Sequence, residues 1–569
     1  MTKDSLYFII ISKDFLKVLD MKEKNKVLIL LAVSSFITGL SVTFSKYFGF
    51  MEWFSLIGLF FALEILRNRE NLKYKHAYLY GLFYFECFYV VTFHWFLNLY
   101  PLDFTGLNNF YSILVIFFAW FGLSLLQAVF GGLVFVLYIA ISRSRLAKQY
   151  GVINFFSFTM IYTFYEFTQT LGWWGVPWAR LALGQSELLI PIQTASLFGS
   201  YFITSIILLV NSAIAYAFIH RSEIKKRNAY AILAISVFLL NLFAGTILYV
   251  SNSISTKDNP TIKSAVIQSN YSSSEKWIAT AYSILQKHIE LTISAANDGA
   301  KLIIWPETAL PYSLTKSGAS ADKISELAKE YQITIIVGAI YHEDEKEYNS
   351  LFCFLPDGSI SETLYHKRHL VPFGEYVPLR NAIEKIAPFM SEISMLDEDM
   401  TPGEDSALFY TEFGKIGSLI CFDSIYETLA KSSVNDGAEA IILATNDSWF
   451  FDSAAIYMHN NQARLRAIEF RRDIARAANT GISSFITSEG KITSKTEPLT
   501  EDYLVSEISL SSQKTLYSII GNSFVYLCGL AVSIPLLYDL IINISNKKQQ
   551  KVNNCFQKVG YEKQQADLY

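Results

Sequence analysis

The sequence carries little charge. Lys, Arg, Asp and Glu together make up 17% of its 569 residues, whereas an average soluble domain has about 25%. The hydrophobic fraction is 52% and the mean hydropathy is +0.28. These values exclude a wholly soluble protein and indicate a membrane protein with room for a soluble domain. The net charge of −4 argues against a nucleic-acid partner, which would require a basic surface.

Cysteine is also scarce. The five cysteines are far apart in the sequence, at Cys87, Cys353, Cys421, Cys528 and Cys555. They form no CxxC pair, and none stands at metal-ligand spacing from a histidine. The spacing therefore predicts neither a disulfide framework nor a zinc site.

Long apolar runs are abundant. About 20 apolar residues cross a bilayer as a helix. Eight stretches predict such spans: 27–43, 48–66, 78–100, 110–142, 154–172, 190–219, 229–251 and 518–544. The run at 110–142 is long enough for one tilted span with an extension, or for two short spans.

The charges of the connecting segments test this count. The N-terminal segment and every second loop carry several Lys or Arg residues, whereas the segment PLDFTGLNN (101–109) has none. Because basic segments face the cytoplasm, both termini are expected there, and the alternation agrees with eight spans rather than nine. We therefore expect a membrane region of seven helices at 1–251, an eighth span at 518–544 and a cytoplasmic tail at 545–569.

Residues 252–517 are expected to form a domain on the other side of the membrane, because short apolar runs there alternate with amphipathic stretches. This alternation predicts a layered α/β domain. The predicted strands are TIKSAVIQSN (261–270), AKLIIWPE (300–307), ITIIVGAIY (333–341), KIGSLICF (415–422) and AEAIILATND (438–447). The predicted helices are 272–298, 320–332 and DSIYETLAKSS (423–433).

Polar residues stand at or beyond the ends of several of these apolar runs. They are Glu307 in LIIWPETALP, Lys367 and Glu375 in YHKRHLVPFGEYVP, and Cys421 in GSLICFDSIY. In α/β sheets, sites form at the ends of strands. Each residue alone is compatible with an ordinary loop, patch, turn or core position, so the prediction of a site rests on the set.

These stretches resemble the nitrilase superfamily, whose catalytic set is Glu, Lys and Cys in that chain order. Together with eight spans, WPET (305–308), KRHLVPFGEYVP (367–378), TNDSWF (445–450) and RAIEFRRDIARAANTG (466–481) resemble the apolipoprotein N-acyltransferase family. The resemblance covers nearly the whole chain. It implies a nitrilase-like αββα sandwich inserted into an all-α bundle of eight transmembrane helices.

The chemistry of a thiol nucleophile agrees with the roles that the resemblance implies. A thiol of pKa about 8.5 needs activation at neutral pH. A helix beginning directly after Cys421 would favour the thiolate, and Glu307 can act as the general base. Lys367 can stabilise the thiolate and the tetrahedral oxyanion, with the backbone N–H of Phe422 as a second donor. By resemblance, Glu375 is a second acid that holds Lys367 in place.

One supporting position departs from the family pattern. The family usually has Glu two residues after the cysteine, where this chain has Asp423, so the role of this acid is open. Ser448 also stands where Gly is common.

Another set of candidates lies on the substrate side. The loop GWWGVPWARLALGQ (172–185) resembles the family's Gly–x–Pro–Trp loop, or it is an interfacial aromatic belt. We expect Trp178, Arg180 and Trp449 to bind substrate, with Arg180 contacting a lipid phosphate. Glu166 is an intramembrane acid near this loop, with either a functional or a structural role.

Two further stretches have open alternatives. The polar residues Arg464, Arg466, Glu469 and Arg471 predict either a helix that supports the site or a solvated face. The apolar stretch IAPFMSEISML (386–396) predicts either a lid that enters lipid or ordinary core.

The resemblance implies an activity. A phospholipid would give an acyl chain to Cys421 as a thioester, and the α-amine of a diacylated apolipoprotein would accept it. The bilayer is a further expected partner, and neither a cofactor nor a metal is required. We expect a monomer in a bacterial inner membrane, with the catalytic domain extracytoplasmic.

Three other functions remain open on the sequence. A membrane-tethered amidase would use the same three residues with water as acceptor and would release ammonia from small amides. A transporter with a degenerate domain would keep its activity in Cys421→Ala. A non-catalytic lipoprotein-binding module would bind without forming a thioester.

Overall fold

The protein consists of a helical region joined to an α/β region. A computed structural model describes residues 23–102, 108–172, 174–386 and 398–566. The main helices of the first region are α1 (Glu23–Thr43), α2 (Ile57–Arg67), α3 (Tyr74–Thr92), α4 (Asn109–Ser142), α5 (Val152–Thr168), α6 (Ser200–Ile219) and α7 (Ile224–Ser255). Shorter helical segments lie at Ser45–Phe48, Gly49–Met51, Glu52–Ser55, His94–Leu99, Arg145–Gln149, Leu181–Gln185 and Ala195–Phe198.

Several helices have the length and composition of membrane spans. Within the described ranges there are six such segments: Glu23–Thr43, Ser45–Arg67, Asn109–Ser142, Ser200–Ile219, Ile224–Ser255 and Ser523–Asn554. They make this a multi-pass membrane protein. The predicted spans at 78–100 and 154–172 correspond to α3, which has 19 residues including Lys75 and Glu86, and to α5, which has 17. Neither is among the six, so the count of eight is not confirmed.

The run at 110–142 forms one continuous helix, α4, of 34 residues. This supports one long span over two short ones. Small residues let α3 and α4 approach closely. A Cβ on Gly81 would lie 2.8 Å from the ring of Phe135 and 3.0 Å from the carbonyl oxygen of Gly132. Such contacts between small residues are typical of helix packing in membranes.

The α/β region contains two sheets. Its strands are β1 (Thr261–Gln268), β2 (Leu302–Ile304), β3 (Leu310–Ser313), β4 (Thr334–Glu343), β5 (Lys346–Phe354), β6 (Tyr365–His366), β7 (Leu408–Tyr410), β8 (Lys415–Ile420), β9 (Ala440–Thr445), β10 (Ile474–Ala478), β11 (Ser484–Ile486), β12 (Ile492–Lys495) and β13 (Asp502–Ser509). The first sheet has the order β13-β1-β2-β4-β5-β6, with β3 beside β4. The second has the order β12-β11-β10-β9-β8-β7. The neighbours β1, β2 and β4 are parallel, as are β8, β9 and β10.

The helices of the second half of the chain are α8 (Ser273–Ile278), α9 (Ala281–Asn297), α10 (Ala319–Tyr331), α11 (Arg380–Ile386), α12 (Glu427–Asn435), α13 (Ala454–Phe470), α14 (Leu516–Ile520) and α15 (Ser523–Ala566). Helices α9 and α10 cover the first sheet and α12 and α13 cover the second, whereas α15 packs against the helical region. Alternate strand residues point to opposite faces. Ile304 and Ile442 pack between the sheets, whereas Ile303 packs towards α9 and α10, and Ile441 packs towards α12 and α13. The strands are apolar on both faces because each sheet has helices on one face and the other sheet on the opposite face, in the expected αββα arrangement.

The helices predicted at 272–298 and 518–544 differ from those observed. The helix predicted at 272–298 is two helices, α8 and α9, separated by the extended residues Ala279 and Thr280. The Thr280 side chain caps α9 by accepting a hydrogen bond from the N–H of Ser283. The C-terminal helix α15 continues beyond the predicted 518–544 to Ala566, and most of the stretch 386–396 lies outside the described residues.

Candidate active site

Three short segments bring the predicted residues together. Glu307 follows β2, Lys367 follows β6 directly, and Cys421 follows β8 directly. β2 and β6 belong to the first sheet and β8 to the second, so the face-to-face packing of the sheets makes the segments converge. Glu307 and Lys367 are buried, while Cys421 keeps some exposed surface.

Lys367 lies between two carboxylates. Its Nζ is 2.8 Å from Oε1 of Glu307 and 2.9 Å from the Glu375 carboxylate. The Nδ2 of Asn349 donates to both acids, at 2.8 and 2.9 Å. The other Glu307 oxygen accepts from the backbone N–H of Asn446 at 2.8 Å. The base, the lysine and the second acid are thus held in one hydrogen-bonded group.

Asn349 was missed by sequence reasoning, although the sequence carries a signal. It is a buried polar residue within β5, a strand that is buried from Tyr348 to its end at Phe354. A buried amide in a strand needs partners. Here these are the two carboxylates that it holds on either side of Lys367.

The charges decide the resting protonation states. Burial alone would lower the pKa of Lys367, but Glu307 and Glu375 raise it well above its ordinary value, so Lys367 is an ammonium. Burial raises the pKa of the Cys421 thiol, and Glu307 adds to this while Lys367 opposes it. Cys421 therefore rests as a thiol, and it needs a base to become a nucleophile.

Cys421 begins a tight turn. Its φ is +47°, in the left-handed region that a non-glycine residue rarely adopts, and Cys421–Ile425 form a 3₁₀ turn. Strained backbone of this kind often accompanies functional sites. The helix predicted at 423–433 is present but begins later than expected, because Cys421–Ile425 form the 3₁₀ turn and α12 begins at Glu427. The Phe422 amide therefore belongs to this 3₁₀ turn and not to the first turn of α12.

Asp423 has a clear structural position. Its carboxylate accepts hydrogen bonds from the O–H of Tyr365 at 2.8 Å, the N–H of His369 at 2.8 Å and the N–H of Ile420 at 3.1 Å. It is fully buried, and burial raises its pKa to about 6, although Lys367 and the three donors oppose that rise. Asp423 therefore fastens the segment that carries Lys367 to the turn that carries Cys421.

The predicted substrate residues lie in different surroundings. Trp178 is buried beside the nucleophile turn, with its ring centroid 6.4 Å from that of Phe422 and 5.4 Å from that of His459. Trp449 is partly exposed, at 38%. Arg180 is fully buried and pairs with Glu427 at 2.9 Å. The predicted contact of Arg180 with a lipid phosphate does not fit this position, because its guanidinium reaches no surface.

Glu166 has a structural pairing. Its carboxylate accepts from the N–H of Leu181 at 2.9 Å and from the hydroxyl of Thr204 at 2.7 Å. It thereby ties the loop that carries Trp178 and Arg180 to helices α5 and α6.

The helix α13 is buried at every residue from Met458 to its end at Phe470. Arg466 and Glu469 pair with each other at 2.8 Å without exposed surface, and Arg464 pairs with Glu187 at 2.7 Å. The prediction of a supporting helix is therefore the correct alternative, and that of a solvated face is wrong. Sequence reasoning missed two polar residues near Cys421, Asp447 and His459, because only the fold brings them together.

Comparisons with known proteins agree with the architecture. Residues 263–516 match the family model described as "Carbon-nitrogen hydrolase", and residues 38–213 match "Apolipoprotein N-acyltransferase N-terminal domain". The α/β region thus belongs to the carbon–nitrogen hydrolases, the nitrilase superfamily.

Individual relatives narrow the class. An apolipoprotein N-acyltransferase of Geobacter metallireducens is 31% identical over 69% of this chain and 76% of its own length. The apolipoprotein N-acyltransferase of Haemophilus ducreyi is 28% identical over 67% of this chain and 75% of its own length. That of Wigglesworthia glossinidia brevipalpis is 28% identical over 86% of this chain and 91% of its own length. The chain belongs to the apolipoprotein N-acyltransferase family, which confirms the resemblance seen in its motifs.

Proposed function

We propose that this protein transfers an acyl chain from a membrane phospholipid to the α-amine of the N-terminal diacylglyceryl-cysteine of an apolipoprotein. Membership of the family supports the reaction. The observation that carries the assignment of residues is the buried Lys367, held between Glu307 and Glu375 with its charge acting on the Cys421 thiol. No cofactor and no metal take part in the proposed steps.

The first half-reaction forms a thioester. Glu307 takes the thiol proton of Cys421 as Sγ attacks the ester carbonyl of the phospholipid. The tetrahedral intermediate then collapses with cleavage of the bond between the acyl carbon and the glycerol oxygen. Glu307 returns its proton to that oxygen, and lysophospholipid leaves.

The second half-reaction uses the same groups in the reverse direction. The α-amine of the lipoprotein attacks the thioester, and Glu307 takes a proton from the amine. The bond between the acyl carbon and Sγ breaks, and Cys421 recovers a proton through Glu307. Lys367 and the N–H of Phe422 stabilise the oxyanion in both steps, and Glu375 keeps Lys367 charged and oriented.

The layout of the chain suits such substrates. We propose eight spans, in which α3 and α5 join the six apolar segments, with both termini cytoplasmic. The division is then a membrane region at 1–251, a catalytic domain at 252–517, a last span at 518–544 and a tail at 545–569. On this topology the catalytic domain faces the outer leaflet of a bacterial inner membrane, and Trp178 and Trp449 lie on the substrate side.

The activity can be tested with purified protein, phospholipid vesicles and a synthetic diacylated lipopeptide. We expect N-acylated lipopeptide and lysophospholipid in equal amounts from the wild type and from Cys87→Ala, a matched cysteine control on α3. Cys421→Ala is expected to give neither product. Ammonia release from small amides without acyl transfer would instead favour a membrane-tethered amidase.

A further inference from the structure

A buried histidine lies directly behind the nucleophile turn. His459, on α13, is 1% exposed. Its Nε2 lies 3.2 Å from the carbonyl oxygen of Cys421 and 3.1 Å from Oγ of Ser424. Its Nδ1 lies 2.9 Å from Oδ1 of Asp447. The two ring nitrogens therefore face opposite partners.

The partners of Nε2 both accept. A carbonyl oxygen has no proton to give. The hydroxyl of Ser424 already donates to the same Cys421 carbonyl at 2.7 Å, so it presents lone pairs to the imidazole. Nε2 must therefore carry a proton that it can donate to these two oxygens.

The nearest partner of Nδ1 accepts as well. Burial alone would raise the pKa of Asp447, but Arg476 and His459 hold it well below its ordinary value, so Asp447 is a carboxylate. Arg476 Nη2 donates to the other oxygen of Asp447 at 2.7 Å. Arg476 Nη2 is a second neighbour of Nδ1, but at 3.2 Å it is farther than the Asp447 carboxylate, and an unprotonated nitrogen 2.9 Å from a carboxylate oxygen would set two lone pairs against each other. The shorter contact therefore favours a proton on Nδ1 as well, and only a doubly protonated ring donates on both sides.

We propose that His459 is an imidazolium and that it acts as a positioning residue for Cys421. Its Nε2–H holds the carbonyl of the strained Cys421, and its charge favours the thiolate. Sγ of Cys421, a ring nitrogen of His459 and a carboxylate oxygen of Asp447 lie within 4.8 Å of one another, a range in which a cation stabilises a thiolate. This role rests on the nucleophile assigned to Cys421 above.

The surrounding charges explain why a cation is needed there. Asp447 is one of the groups that raise the pKa of the Cys421 thiol. With His459 protonated, the signs alternate from the Arg476 guanidinium through Asp447 and His459 to the thiolate. Arg476 Nη2 also lies 3.2 Å from Nδ1 and opposes the imidazolium charge, but the carboxylate between them offsets this. Lys367 supplies the second cation that lowers the thiol pKa, and Glu307 opposes both. Since both nitrogens of His459 donate, the ring offers no lone pair to a metal ion.

The substitution His459→Gln separates charge from hydrogen bonding, because the glutamine amide can still donate to the Cys421 carbonyl but is neutral. The measurement is the rate at which iodoacetamide alkylates Cys421 between pH 6 and 10, read by peptide mass spectrometry in the full-length protein. We expect the midpoint of the profile to rise by about one pH unit or more, which makes alkylation about tenfold slower at neutral pH. The control His342→Gln, at a half-exposed position, should keep the wild-type profile. An unchanged profile in His459→Gln overturns the proposal.

A second measurement does not depend on the variant keeping its fold. In wild-type protein labelled with ¹⁵N-histidine, the nitrogen shifts of His459 should show both ring nitrogens protonated at neutral pH. One deprotonated nitrogen overturns the proposal. If Cys421 of the wild type fails to react at any pH, the proposed function fails instead, and the nitrogen shifts still decide the state of His459.

Discussion

Arg180 and Glu427 form a buried ion pair across the two regions of the protein, with Nη2 and Oε2 2.9 Å apart. Arg180 lies in the loop between α5 and α6, and Glu427 is the first residue of α12, just after the nucleophile turn. The hydroxyl of Tyr201 on α6 donates to the other Glu427 oxygen at 3.0 Å, and Arg466 lies 3.5 Å from Oε2. The helical region is therefore in direct contact with the segment that follows Cys421.

The first prediction is that Arg180→Met destabilises the whole protein. It leaves Glu427 buried with a single, more distant guanidinium, and breaking a buried pair in this way costs about 3–5 kcal/mol. The measurement is thermal unfolding in detergent. The double variant Arg180→Met with Glu427→Gln should be less destabilised than the sum of the two single variants predicts, because it leaves no buried carboxylate without its partner. If the loss of stability in the double variant equals that sum, the two residues are not coupled.

The same pair predicts a dependence on pH. Burial alone would raise the pKa of Glu427, but Arg180 and Arg466 lower it to about 2, below an unfolded value of about 4.3. The contribution of this carboxylate is therefore fully present above the unfolded value and is lost as the pH falls towards 2. The difference in unfolding temperature between wild type and Glu427→Gln should shrink between pH 6 and pH 2.5. The exposed control Glu362→Gln should show no such trend, and a constant difference for Glu427→Gln would refute the role of its charge.

Glu307→Gln and Lys367→Ala are predicted to fail for different reasons. Without the base, Cys421 stays a thiol, and raising the pH should partly restore its alkylation because solvent can then deprotonate it. Without Lys367, the oxyanion lacks its charged donor, which is worth about 10²–10³ in rate or more, so acylation should stay low at high pH. The measurement is alkylation rate and acyl-enzyme yield from pH 6 to 10. Full recovery of acylation in Lys367→Ala would show that Lys367 only lowers the thiol pKa.

Asp423→Glu is predicted to destabilise the site although it restores the residue usual in the family. The carboxylate of Asp423 already meets three donors within 3.1 Å and has no exposed surface. An added methylene in such a packed position costs about 1–3 kcal/mol. Thermal unfolding and acyl-transfer rate should both fall, with the exposed Asp405→Asn as a control. A glutamate variant as stable and as active as the wild type would show that the pocket adapts to either acid.

The sequence was sufficient for the features that local patterns encode. Apolar strands separated by amphipathic stretches predicted a layered α/β domain, and the resemblance of the stretches around Glu307, Lys367 and Cys421 to the nitrilase superfamily implied its two sheets and the convergence of these residues. Two local errors came from propensity. A helix-like stretch at 272–298 contains a break at Thr280, and the helix after Cys421 begins late because the residues before Glu427 form a tight turn.

Partners distant in sequence account for the remaining differences. Arg180 resembled a residue for lipid phosphate because its partner Glu427 lies 247 positions away. His459 is 38 residues from the carbonyl that it contacts, so no spacing rule could single it out. Buried charge pairs of this kind become visible only when the packing of α13 against the nucleophile turn is known.

The most direct test of the account is the intact mass of the protein after incubation with phospholipid vesicles and no acceptor. We predict an added mass equal to one acyl chain, mapped to Cys421, sensitive to hydroxylamine and absent in Cys421→Ala. Addition of a diacylated lipopeptide should remove the adduct at the rate at which N-acylated product appears. An unmodified Cys421 during steady turnover, or an adduct that the lipopeptide cannot discharge, would contradict the thioester route.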